Sequence, residues 1–87
     1  MKIKQGYILR EVAGNYIVVA VGEAVKNFNG IINLNETGAF LWKQLQEGAT
    51  EEQLQKAMLE EYDVQEDVAQ KDIKAFIDKL NEKGLLD

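Results

Sequence analysis

The chain has 87 residues, a net charge of −5 from ten basic and fifteen acidic side chains, and no cysteine, histidine or proline. That length makes one domain over residues 1–87 with a small core, and the missing thiols and imidazoles remove disulfides, thiolate metal sites and the commonest general base. An acidic balance with Arg10 as the only arginine disfavours phosphate-backbone binding.

The opening MKIKQGY has no apolar signal region, and no apolar run approaches the roughly 18 residues of a membrane helix. A soluble cytoplasmic domain without membrane attachment is expected. Two β-rich segments follow, Tyr7–Val12 and Tyr16–Val21, and Gly14-Asn15 between them supplies turn chemistry, so they form a hairpin. GEAVKNFNG reads as a loop whose Val25 and Phe28 tuck against the core, and Ile31–Leu34 as a third, short strand. Three helices fill the rest. In the first, Leu41, Trp42 and Leu45 recur at helical spacing, Gly38 permits close approach in the first turn and Gly48 ends the element. The second starts at Thr50-Glu51-Glu52-Gln53, a capping box flanked by a staple of Ala49 and Leu54, and buries Leu54, Ala57 and Met58. The third runs from about Gln65 to Lys83, with Asp63 or Gln65 as its cap and Gly84 as its stop. Its core stripe is Ala69, Ile73, Phe76, Ile77 and Leu80, and Leu85 and Leu86 pack back on the core. The order β-β-β-α-α-α is an α+β fold: a three-stranded antiparallel sheet followed by three helices, arranged like a winged helix-turn-helix.

No catalytic template has its residues. Serine is absent along with histidine and cysteine, and the seven glycines are isolated, so neither a nucleophilic triad nor a phosphate-binding loop can be assembled. Glu60, Glu61 and Asp63 lack the spacing of a calcium loop and read as a solvated helix end. Trp42 aligns with Leu41 and Leu45 and reads as core. The chain is therefore expected to be neither an enzyme acting alone nor a metal or cofactor protein.

The third strand raises a different possibility. Short strands leave edges, and an uncovered edge offers unpaired N–H and C=O groups to another strand. Ile31-Ile32-Asn33-Leu34 carries no lysine or proline to blunt it. On these residues alone it is either ordinary core strand, covered on both faces, or a peptide-docking edge.

A resemblance bears on that choice. FNGIINLNETGAFLW, the Gly48-Ala49-Thr50 and Tyr62-Asp63-Val64 steps, and the closing Phe76, Leu80 and Gly84-Leu85-Leu86 follow one another as in the PqqD family. These are small proteins of pyrroloquinoline-quinone biosynthesis and their relatives, the recognition elements for precursors of ribosomally made, modified peptides. The similarity covers roughly residues 6 to 87. It implies a winged-helix-like fold and a non-catalytic peptide chaperone that binds a precursor's leader segment and presents it to a modifying enzyme. In the pyrroloquinoline-quinone pathway that enzyme is a radical S-adenosylmethionine protein, which would carry the iron–sulfur clusters itself. The resemblance also implies that the leader adds as a strand beside Gly30, Ile31, Ile32, Asn33 and Leu34, in a groove shared with the third helix. Residues 68, 72, 75 and 79 lie on one side of that helix's core stripe. Val68, Lys71, Asp72 and Ala75 are the candidate opposing wall.

Two other readings stay open. A winged-helix transcription regulator needs a basic recognition helix, whereas residues 65 to 83 hold four lysines against five carboxylates. A scaffold dimerising through the same strand edge is the other, so the expected state is a monomer or weak homodimer.

Overall fold

The computed structural model describes residues 1–26 and 30–87. Three strands, β1 (Tyr7–Val12), β2 (Asn15–Ala20) and β3 (Ile31–Leu34), precede three helices, α1 (Glu36–Glu47), α2 (Glu51–Glu61) and α3 (Glu66–Glu82). The sheet is antiparallel in the order β1-β2-β3, which leaves β1 and β3 as its edges.

The hairpin turn sits one residue earlier than the sequence suggests. Val12 pairs with Asn15, so the two turn residues are Ala13 and Gly14, at φ 52° and 81°. Two consecutive positive φ values are what a right-twisted two-residue hairpin requires. Gly14 adopts this freely, while Ala13 carries a Cβ into the left-handed region. In this register Leu9, Val18 and Ile32 form one row across the three strands on the core face. Tyr7 and Leu34 pack on that face too. Ile8, Arg10, Ile17, Val19, Ile31 and Asn33 alternate onto the other.

Between β2 and β3 a short 3-10 turn, Gly22–Lys26, replaces the expected loop contact. Val25 is exposed, not tucked in; Ala24 is the buried residue. Ala24 can sit there because Gly6 faces it, where a Cβ would come within 2.6 Å of the Ala24 Cβ. Phe28 lies outside the described residues.

The helices cap as their sequences direct. Asn35 precedes α1 and its Oδ1 accepts from the Gly38 N–H at 2.7 Å. At α2 the capping box closes both ways: Gln53 N–H donates to Thr50 Oγ1 at 3.1 Å, and Thr50 N–H to Gln53 Oε1 at 2.9 Å. Gln65 caps α3 by position only, without a side-chain bond, and Asp63 does not serve. The Lys83–Gly84 step ends α3, with Gly84 at φ 71°. Trp42 is fully buried among Leu41, Leu45, Leu54 and Leu80, and its indole Nε1 has no hydrogen-bond partner among the described residues. It acts as core.

The first four residues form a strap that the sequence did not announce. Ile3 N–H donates to Leu45 O, Lys4 N–H to Leu85 O, Asp87 N–H to Lys2 O and Ala49 N–H to Met1 O. Ile3 is buried and bridges Leu86. The strap thus ties the α1–α2 junction to the chain's end, where Leu85 and Leu86 pack into the core as expected.

Candidate functional site

β3 pairs with β2 along one side, and no strand among the described residues covers the other. In an antiparallel ladder alternate residues aim their N–H and C=O groups at the partner, so the remaining groups of β3 point outward. The opposite edge, β1, carries Arg10 and Glu11, charges of the kind that blunt an edge, and β3 carries none. Ile32 is buried at the centre of β3, Leu34 is half-buried, and Ile31 and Asn33 are exposed. The strand is thus covered on one face and open on the other.

Beside this edge lies a groove of about 390 Å³, open to solvent. One wall is the end of β3 and the start of α1: Asn33, Leu34, Asn35, Thr37, Gly38 and Leu41. The other is a flank of α3: Asp72, Ala75, Phe76 and Lys79. A Cβ at Gly38 would sit 3.1 Å from Asn35 Oδ1, which would have to give way, and in ordinary contact with Phe76 Cε1 at 3.4 Å and Leu34 Cβ at 3.5 Å, so the glycine makes room for the Asn35 cap beside the groove. Leu34, Leu41, Ala75 and Phe76 give the groove an apolar floor. Asp72 and Lys79, seven residues apart, set opposite charges roughly 10 Å from each other along α3.

An aromatic contact steadies the α1 wall. Phe40 of α1 meets Tyr62, at the end of α2, edge to face, with ring centres 5.4 Å apart and planes at 88°. Such pairs add about 0.5–1.5 kcal/mol beyond area burial. Burial pushes the Tyr62 hydroxyl pKa up, and Glu36, Glu61 and Tyr16 nearby push it the same way by opposing a second negative charge. Tyr16 lies opposite Leu34 in the sheet, so this cluster adjoins the groove.

Of the sequence-derived candidates, Asn33, Leu34, Asp72 and Ala75 line the groove. Gly30, Ile31 and Ile32 continue the edge away from it, Gly30 at φ 136° where the chain enters the strand. Val68 and Lys71 do not line it; both are exposed on α3, about one turn before Asp72 and Ala75. The groove also takes in Asn35, Thr37, Gly38 and Leu41, which the sequence did not single out for it, Phe76, expected in the core, and Lys79, which helical spacing placed on the 68–72–75 side without naming it as wall. Thr37 is visible only once α1 is placed against α3.

Fold and edge together define a small winged-helix domain whose β3 edge is set against a helix flank. The family model for coenzyme PQQ synthesis protein D, PqqD, matches residues 8–86, and the chain belongs to that family. Two solved structures share the fold. TbiB1 in complex with the TbiA(beta) leader peptide is 23% identical with a TM-score of 0.78, the match covering 100% of this chain and 95% of that one. Lasso peptide synthetase B1 complexed with its leader peptide is 20% identical with a TM-score of 0.74, over 97% of this chain and 93% of that one. Among curated proteins no relative matches.

Proposed function

We propose that this chain is a non-catalytic peptide chaperone. It takes up the leader segment of a ribosomally made precursor as a fourth strand on β3 and presents it to a modifying enzyme. The observation that carries this is the unblunted β3 edge facing α3 across a groove lined by both apolar and polar side chains. Membership of the PqqD family and a fold shared with two proteins solved with leader peptides support it.

Magnitudes assign the division of labour. Each added backbone hydrogen bond contributes about 0.5–1.5 kcal/mol, whereas ordering each leader residue costs about 1–2 kcal/mol, so pairing alone nearly cancels. Micromolar affinity needs about −8 kcal/mol. At about 1.5–3 kcal/mol per buried large apolar side chain, roughly three to five must enter apolar surroundings. Only alternate leader residues face the groove, so a segment longer than the four residues of β3 is required. The strand supplies direction and register, and the groove supplies selection. Gly30 to Leu34 form the docking edge and Asp72 and Ala75 the wall, with Val68 and Lys71 extending that flank by a turn. The enzyme partner we assign to the radical S-adenosylmethionine class, acting in the cytoplasm where the precursor is made.

Ala75→Arg tests the groove directly. Ala75 is exposed, so the fold tolerates the change, but a long charged side chain then occupies the wall. Calorimetric titration with the leader of the precursor encoded beside the gene is expected to show affinity at least about tenfold lower, or about 1.4 kcal/mol. Unchanged affinity would remove the groove from the binding site.

A further inference from the structure

The solvent-facing side of the sheet lies away from the groove. Its pairing lines up Ile8, Val19 and Ile31 in one row across all three strands, with Arg10, Ile17 and Asn33 in the next. Ile8 and Ile31 are 36% and 56% exposed, and no helix among the described residues packs on this face. A chain with fifteen carboxylates places none in either row. Arg10, its one arginine, stands in the face without an ion-pair partner among the described residues.

Area and charge together choose the occupant. Strands about 4.8 Å apart and six residues long span a face of roughly 300 Å². A stable protein interface needs about 800 Å² per partner, so this face alone holds neither a second copy nor another protein, and its occupant must be held at a second point as well. A second copy would also bring two guanidiniums into one interface with no carboxylate from either face, a desolvation cost with no compensation. A different protein, with an apolar patch and a carboxylate, suits both the row and Arg10. A leader strand on β3 would enlarge this face by about a third and set every second leader side chain beside Ile31, extending the row. Two weak contacts, the docked face and the tethered peptide in the enzyme's own site, then reinforce each other.

We propose that the Ile8–Val19–Ile31 row with Arg10 is the surface on which the peptide-modifying enzyme docks, through an apolar patch bearing a carboxylate, and that the bound leader strand completes it. The enzyme then distinguishes the loaded carrier from the empty one. This rests on the leader-binding reading above.

The test uses the full chain, the synthetic leader and the purified modifying enzyme encoded beside the gene, with leader affinity measured first and without enzyme. Ile8 and Arg10 lie on the strand farthest from the β3 edge. Ile8→Lys and Arg10→Glu are therefore expected to bind leader within twofold of the parent chain and to melt at the same temperature. Both are expected to lose at least tenfold in enzyme affinity when loaded, and the parent chain to bind enzyme at least tenfold more tightly loaded than empty. Enzyme affinity unchanged in both variants, or equal for loaded and empty carrier, overturns the proposal. So does a dimer in sedimentation velocity that Ile8→Lys abolishes, since a second copy would then own the face. Absence of leader binding in the parent chain overturns the leader-binding reading itself, and is seen before any enzyme is added.

Discussion

Ala13 is the residue most at odds with its backbone. It occupies the first turn position at φ 52°, where an L-residue with a Cβ is disfavoured by about 1–2 kcal/mol and asparagine is tolerated. Ala13→Asn creates the preferred two-residue turn, and its urea midpoint is expected to rise by the equivalent of about 0.5–1 kcal/mol with leader affinity unchanged. A lower midpoint would mean that the turn is not the two-residue form. Titration of Tyr62 is coupled to folding. Its pKa is raised in the folded state, so folding favours the neutral phenol. The stability this gives is complete below the ordinary value of 10.0 and is lost as pH rises from there through the raised folded value. Tyr62→Phe keeps the ring against Phe40 but cannot ionise, so its alkaline unfolding midpoint is expected to lie at higher pH than the parent's. An unchanged midpoint would separate Tyr62 from alkaline unfolding. Among single residues Gly38 was legible in advance: a glycine in a helix's first turn signals a close approach, and the tight approach is by the Asn35 side chain, 3.1 Å from where a Cβ would sit. Trp42 was legible as core from its spacing with Leu41 and Leu45.

At the scale of elements, short-range chemistry was readable and packing was not. The α2 capping box is contained in four consecutive residues, and both of its hydrogen bonds form. Thr50→Ala removes the acceptor for the Gln53 N–H, with an expected cost of about 1 kcal/mol in chemical denaturation and no change in the groove, which α2 does not line. A loss below about 0.3 kcal/mol would show that water replaces the cap. By contrast, α3 begins at Gln65 without a side-chain cap, so nothing local marks its first residue. Its position comes instead from burying Ala69, Ile73, Ile77 and Leu80 against the rest of the core. In the hairpin, turn residues pointed to Gly14-Asn15, whereas Val12 pairs with Asn15 and the turn is Ala13-Gly14, an alternative that leaves the same side chains on the buried face and so could not be told apart by patterning. The exposed Val25 and buried Ala24 have one cause, the shallow seat that Gly6 leaves.

At the scale of the molecule, what the sequence could not show is what depends on distant segments meeting. The strap of residues 1–4 has no periodicity; its structure comes from partners 42 to 85 positions away. The groove likewise joins residues 33–41 to residues 72–79, so Thr37 and Lys79 acquire a shared role only after α3 has packed. The sequence of elements and the helix count were readable because each element carries its own pattern; the strand order that leaves β3 at an edge beside α3 appears only in the packed sheet. The central claim is that this edge and flank take up a leader strand. An amide-shift NMR titration of the labelled chain with the synthetic leader of its neighbouring precursor tests it most directly. The account predicts saturable shifts at residues 30–34 and along the Val68–Lys79 flank of α3, with none on α2. Saturation with shifts elsewhere, or shifts with duplex DNA and none with leader, would contradict it.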